Sequence, residues 1–183
     1  IVLDGGSKDN TLEIAAQWPN VVSDCFSQPD SGLYDALNKG LSLARGTLIG
    51  IVGAGDCYLP GGLDAVARLH YENDSDVYGG QTLELQNNGL LTKRTDEPWG
   101  LNAFVSGGPV GHNGMFATRA AYDRVGYFGK TYPMAEDSRW MHRAIHAGCS
   151  FTSVPPPVVP FPLTGMSPNT PALVWHAAPG LIK

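Results

Sequence analysis

The chain opens on Ile1-Val2-Leu3, an apolar β-branched run halted by Asp4-Gly5-Gly6-Ser7, so a short strand feeding a tight turn is expected there. Asn10 followed three residues later by Glu13 has the form of a capping box, and Leu12, Ala15 and Ala16 supply a helical stripe that ends near Trp18-Pro19. Val21-Val22 restarts an extended segment. Leu33, Leu37, Leu41 and Ala44 recur at helical spacing with Gly46 as the stop, and Leu48 to Val52 is a continuous apolar run suited to a strand buried on both faces. That strand ends on Gly53-Ala54-Gly55-Asp56. The alternation of strand, helix, strand, helix and strand predicts an α/β sandwich, a mainly parallel sheet flanked by helices. Ligands bind such sheets beyond the carboxyl ends of the strands, which is where both acidic glycine turns fall.

Farther along, the pattern changes. Pro60 suits the first turn of a helix carrying Leu63, Val66, Ala67 and His70 on one face. Asp76 to Leu85 and Leu90 to Arg94 read as strands joined through Asn87-Asn88-Gly89, a hairpin that makes the sheet mixed. Gly107 to Gly114 is a glycine-rich connection, Arg119 to Val125 a short helix, and Glu136 to Ala147 a longer one closed by Gly148. Phe151 to Val154 is a last strand. Pro155-Pro156-Pro157, Pro160 and Pro162 then predict extended or irregular structure.

With 183 residues, 43% apolar and 16% charged, the chain can bury a core and reads as one domain rather than a disordered segment. A net charge of -5, from 12 basic and 17 acidic residues, leaves no basic footprint for nucleic acid. The longest nearly apolar stretch, Leu48 to Gly55, is far shorter than the roughly 18 residues of a membrane span. Cys25, Cys57 and Cys149 are odd in number and widely spaced, so buried thiols are expected rather than a disulfide framework. The first residue is not Met and lies inside a strand, so an upstream segment is expected.

Several nucleotide and metal signatures fail on inspection. Gly53-x-Gly55 lacks the third glycine of a dinucleotide fingerprint, since Tyr58 stands there, and Gly129-Lys130-Thr131 lacks the earlier glycine of a P-loop, since Arg124 stands there. His142 and His146 have helical spacing, but Arg143 occupies the place of the glutamate in a zinc-protease motif. What remains is a set of carboxylates at strand ends and a helix start: Asp4, Asp30, Asp56 and the pair Glu136-Asp137. Each alone also reads as a turn residue or cap.

Their order resembles a known pattern. Asp4-Gly5-Gly6-Ser7-Lys8-Asp9-Asn10-Thr11, then Gln28-Pro29-Asp30-Ser31-Gly32-Leu33-Tyr34-Asp35-Ala36-Leu37-Asn38-Lys39-Gly40 and Ala44-Arg45-Gly46, resembles the donor-binding half of family 2 glycosyltransferases. Gly55-Asp56 after a strand, Ala135-Glu136-Asp137 before a helix and Thr164-Gly165-Met166-Ser167 are similar to later motifs of the same family. The resemblance implies a Rossmann-like GT-A sandwich and an inverting, non-processive transfer of a sugar from a nucleotide-diphosphate donor to an acceptor hydroxyl, in glycan or polysaccharide assembly. It implies a divalent cation, Mn²⁺ or Mg²⁺, at Asp56, and a nucleoside pocket drawing on Asp4 and Asp30. Asn38 and Lys39 would lie near the nucleotide, Lys39 available to a phosphate or carboxylate. Asp137 would be the general base, Glu136 its support, and His112 a contact to phosphate or acceptor. Partners would be the nucleotide-sugar and a glycan or lipid-linked acceptor, in the cytoplasm or at the inner face of the membrane.

Two departures stand out. Gly55-Asp56 replaces the Asp-Asp frequent in the family. Relatives begin with one further strand and helix, so residues 1–167 would form the domain without that pair, followed by a proline-containing tail over 168–183. Without its usual neighbour, Ile1 to Leu3 is expected either to present a bare edge or to pair directly with Leu48 to Val52. These departures keep two other readings open, a catalytically incompetent nucleotide-sugar-binding remnant and a metal-dependent nucleotidyltransferase.

Overall fold

The computed structural model describes residues 1–85, 91–93, 112–130 and 136–162. The chain divides into two compact units, each assembled from two separated segments: residues 1–49 with 118–148, and residues 50–117 with 149–183.

In the first unit β1 (Val2–Asp4) lies parallel to β2 (Cys25–Ser27), with Val2 opposite Cys25 and Asp4 opposite Ser27. Among the described residues β1 pairs with β2, and the direct pairing with Leu48 to Val52 is not found there. The connecting helix α1 (Thr11–Ala16) buries none of its residues. Its expected capping box is absent: Asn10 makes no side-chain cap bond. Asp9, one residue earlier, takes the Thr11 N–H at 3.1 Å and the Thr11 hydroxyl at 2.5 Å, a local turn that competes with the cap. Val21 and Val22 return their N–H groups to the Trp18 carbonyl at 3.0 and 2.8 Å, which delays the extended segment to Cys25.

Helix α2 (Leu33–Leu43) forms where the spacing predicts it, but on a different face. Tyr34 and Leu41 are buried, two turns apart, whereas Leu33 is exposed. Gly40 lets β1 approach, because a Cβ there would stand 2.7 Å from Leu3 Cδ1. Thr118 caps α4 (Arg119–Val125), its hydroxyl oxygen accepting the Ala121 N–H at 3.1 Å. Against α4 lies α5 (Glu136–His146), with the Tyr122 and Trp140 rings 4.8 Å apart and Phe128 beside both. The Trp140 indole N–H donates to the Gly126 carbonyl at 2.6 Å, so this aromatic cluster leaves that buried donor satisfied.

The strand β3 (Leu48–Gly50) is shorter than expected, with Leu48 and Ile49 half-buried and Val52 exposed. Its last residue, Gly50, belongs to the second unit, whose mixed sheet is organised around β4 (Val77–Leu85). One edge of β4 carries β7 (Phe151–Pro162), parallel along its whole length. The other edge is shared by two antiparallel strands, β6 (Met115–Thr118) against Val77–Gly79 and β5 (Leu91–Lys93) against Leu83–Leu85. The path within this unit is β6-β4-β5, and the Asn87-Asn88-Gly89 turn lies outside the described residues.

β7 runs eight residues beyond the expected end at Val154, through five prolines. Register shifts between Gly80 and Gln81 and between Gln81 and Thr82 let the strand slip past residues that do not pair, Gly80 facing Val154 and Gln81 facing Pro157. Helix α3 (Gly62–Glu72) packs through small residues: Gly62, Ala65 and Val66 are buried while Leu63 is exposed. A Cβ on Gly62 would meet the Val158 backbone at 3.2 Å, and one on Gly80 would stand 2.6 Å from Val158 Cβ. Close approach, rather than the large apolar residues, therefore selects the buried face. Pro60 precedes Gly61, the left-handed residue before α3 at φ 74°, instead of entering the first turn. All three cysteines are thiols, and only Cys149 is buried. No helix among the described residues is long and apolar enough to cross a membrane.

Candidate functional site

Asp4 ends β1, and its carboxylate organises the turn that follows. It accepts the Gly6 N–H at 3.1 Å, the Ser7 N–H at 3.0 Å, the Ser7 hydroxyl, and the Ser27 hydroxyl of β2 at 2.6 Å. These donors, Ser27 first and Ser7 next, hold its pKa down at about 2. Asp30 is exposed, and its Oδ1 accepts the Gly32 N–H at 2.9 Å. Its Oδ2 would stand 2.8 Å from a Cβ on Gly5, so a bare glycine brings Asp30 against the Asp4 turn. The fold thus joins two carboxylates separated by 26 positions.

Asn38 and Lys39 lie on α2, where their polar atoms meet the protein itself. The Asn38 amide donates to the Phe128 carbonyl at 2.9 Å and accepts the Phe128 N–H at 3.0 Å. The Lys39 ammonium donates to the Pro29 carbonyl at 2.9 Å and pairs with Asp35 at 3.2 Å. Asp35 also takes Lys130 at 2.6 Å, and that ammonium is the main cause holding its carboxyl well below the usual range.

The two acids that begin α5 differ sharply. Glu136 is buried, accepts the Gly129 N–H at 3.0 Å, and pairs with Arg139 at 3.3 Å and Arg143 at 3.9 Å on its own helix. A Cβ on Gly129 would lie 2.5 Å from Glu136 Oε2, so a side chain there would displace the Glu136 carboxylate. Asp137 is half-buried, and its Oδ1 accepts the Ser138 N–H at 2.9 Å and the Tyr34 hydroxyl at 3.4 Å. Burial first, and then the Asp137 charge, pushes the Tyr34 hydroxyl pKa up.

Asp56 and His112 belong to the second unit. After β3 the chain folds back so that the Asp56 N–H donates to the Gly53 carbonyl at 3.0 Å, with Gly55 at φ 89°. Asp56 is half-buried, and its Oδ2 accepts the Asn113 amide at 3.0 Å; a Cβ on Gly53 would stand 3.0 Å from the same oxygen. Oδ1 carries no hydrogen bond or ion pair among the described residues. The Asp56 charge adds to burial in pushing Tyr58 up to about 12 and in raising Cys57. The Tyr58 hydroxyl donates to the Ile51 carbonyl at 2.9 Å, tying the loop to the end of β3. His112 begins a short 3₁₀ turn, His112–Gly114, that carries Asn113. Among the described residues no three His, Cys, Asp or Glu side chains converge. The Asp56 carboxylate is a hard oxygen donor of the kind that would suit a divalent cation.

Sequence reasoning passed over Tyr34 and Asn113. Tyr34 stands inside the Gln28 to Gly40 motif and Asn113 inside the Gly107 to Gly114 connection, with no role assigned to either there. Their partners lie 103 and 57 positions away, which no local pattern carries. Ala135, Pro109 to Gly111 and Thr164-Gly165-Met166-Ser167 lie outside the described residues.

A family-wide sequence model described as Glycosyl transferase family 2 matches residues 1–146. Among curated proteins, the chain is similar to a PGL/p-HBAD biosynthesis glycosyltransferase of Mycobacterium bovis, 28% identical over 149 residues, covering 75% of this chain and 54% of the relative. It is also similar to an uncharacterized glycosyltransferase of Mycobacterium tuberculosis, 28% identical over 150 residues, covering 79% of this chain and 56% of that one. The chain therefore spans about half the length of the curated relatives it matches. Among solved structures, S. aureus TarS 1-349 in complex with UDP-GlcNAc superposes with a TM-score of 0.71 at 19% identity, over 88% of this chain and 48% of that one. The mannosyltransferase PcManGT from Pyrobaculum calidifontis, in complex with GDP-Man and Mn²⁺, superposes with a TM-score of 0.61 at 17% identity, over 87% of this chain and 46% of that one.

Proposed function

This chain belongs to glycosyl transferase family 2 and has the α/β GT-A fold, and we propose that it moves a sugar from a nucleotide-diphosphate donor to an acceptor hydroxyl with inversion. The observation that carries this reading is the division of labour at the start of α5. Glu136 is buried and occupied by Gly129 and two arginines, whereas its neighbour Asp137 is half-buried, with the Ser138 N–H and the Tyr34 hydroxyl donating to its Oδ1. Glu136 anchors the helix start. Asp137 takes the acceptor's proton as the acceptor oxygen bonds to the anomeric carbon and the bond to the diphosphate breaks. A base so placed contributes about 10²- to 10⁴-fold.

Asp30, exposed beside the Asp4 turn, lines the nucleoside pocket, and Asp4 sets the shape of that wall. Asn38 and Lys39 fasten α2 behind it, through Phe128 and Pro29. Asp56 holds the divalent cation, Mn²⁺ or Mg²⁺, whose chemistry is to neutralise charge on the leaving diphosphate. His112 stands next to Asn113 as the contact to phosphate or acceptor. The acceptor in this reading is a glycan or a lipid-linked acceptor, in the cytoplasm or at the inner face of the membrane, a class drawn from the family resemblance. The test is nucleotide release from UDP-GlcNAc and from GDP-mannose with Mn²⁺. Asp137→Asn is expected to lower it by about 10²- to 10⁴-fold, and release at the wild-type rate would remove Asp137 as the base.

A further inference from the structure

We propose that Tyr34 is a positioning residue, which caps α5 from α2 and orients the Asp137 carboxylate. The inference rests on the reading of Asp137 as base. The first N–H groups of a helix have no partner within it, and a residue just before the helix usually satisfies one. Here the Glu136 N–H donates to Tyr34 Oη at 3.0 Å, from a residue 102 positions away. The same hydroxyl donates its proton to Asp137 Oδ1 at 3.4 Å. One oxygen therefore ties the backbone of the first α5 residue to the side chain of the second.

The hydroxyl is held in place by its own surroundings. Tyr34 is 5% exposed, and its ring packs against Phe128 at 5.6 Å. Phe128 is in turn held at both backbone groups by Asn38, one turn farther along α2, and Lys130 pairs with Asp35 between them. A single face of α2 thus fastens the chain on both sides of the α5 start. Burial keeps the Tyr34 hydroxyl neutral and so able to donate. On α5 Glu136 pairs with Arg139 and with Arg143, and from α2 the Tyr34 hydroxyl reaches Asp137.

Tyr34→Phe keeps the ring and removes the hydroxyl. Carbon NMR of the carboxyl groups follows the titration of Asp137, identified as the signal lost in Asp137→Asn. Losing a donor to the charged form is expected to move that titration to higher pH by about 0.5 or more. Nucleotide release from UDP-GlcNAc or GDP-mannose is expected to fall about tenfold in kcat with the donor KM unchanged, and Tyr34→Phe is expected to add nothing on the Asp137→Asn background. A fluorinated tyrosine at position 34 keeps the contacts while strengthening the donor, and should move the titration the opposite way. An Asp137 titration indifferent to both changes overturns the proposal. A titration that moves while Asp137→Asn releases nucleotide at the wild-type rate overturns the base assignment instead, and with it the part of Tyr34 in the reaction.

Discussion

Asp4 ends β1 ahead of a glycine turn, Asp56 follows the glycine turn beyond β3, and the protein treats the two carboxylates in opposite ways. Asp4 is buried, and four donors from Gly6, Ser7 and Ser27 converge on its two oxygens. A carboxylate has about four acceptor sites, so this one is filled by its own turn. Asp56 is half-buried, the Asn113 amide donates to one of its oxygens, and the other has no hydrogen bond or ion pair among the described residues. The first carboxylate is part of the architecture. The second keeps one oxygen without a hydrogen bond or ion pair among the described residues, and the proposal of a cation at Asp56 starts from that difference.

The contrast can be broken most directly through stability. Asp4→Ala strips the turn of its acceptor and is expected to lower Tm by roughly 5 °C or more, while Asp56→Ala shifts it by about 1 °C or less. Thermal unfolding of the two variants decides this, and equal losses would end the distinction. The acid limb of stability should show a smaller effect. The folded pKa of Asp4, about 2, lies below its ordinary 3.8, so its contribution is complete above about pH 4 and is lost as pH falls through 2. Acid unfolding followed by circular dichroism should therefore be less steep between pH 4 and 2 in Asp4→Asn. The mildest change is Gly53→Ala, whose Cβ would stand 3.0 Å from Asp56 Oδ2. Displacing that oxygen is expected to weaken Mn²⁺-dependent UDP binding a few-fold, read by calorimetry, with Tm nearly unchanged.

Much of this was legible along the chain, for reasons that differ from element to element. Arg119–Val125 falls at its expected limits, and α5 begins on Glu136 and is followed by Gly148 at φ 71°, because cap, acidic start and glycine stop are local signals. Asp4 at the end of β1 and Glu136 and Asp137 at the start of α5 stand at the strand end and helix start that the local pattern marks. Other features depend on packing between distant segments. Leu33 points outward and Tyr34 inward because Phe128 and α5 meet α2 at Tyr34. Leu63 gives way to Gly62 because Val158 comes too close for a side chain. The prolines after Val154 read as a strand's end, yet slips in register against β4 accommodate them.

Calorimetry of UDP binding, with and without Mn²⁺, to the wild-type chain and to Asp56→Asn bears most directly on the claim that Asp56 is the open carboxylate. Mn²⁺ is expected to tighten UDP binding at least tenfold in the wild type and to add little in Asp56→Asn. UDP affinity that is the same with and without Mn²⁺, or a Mn²⁺ effect that survives in Asp56→Asn, would contradict it.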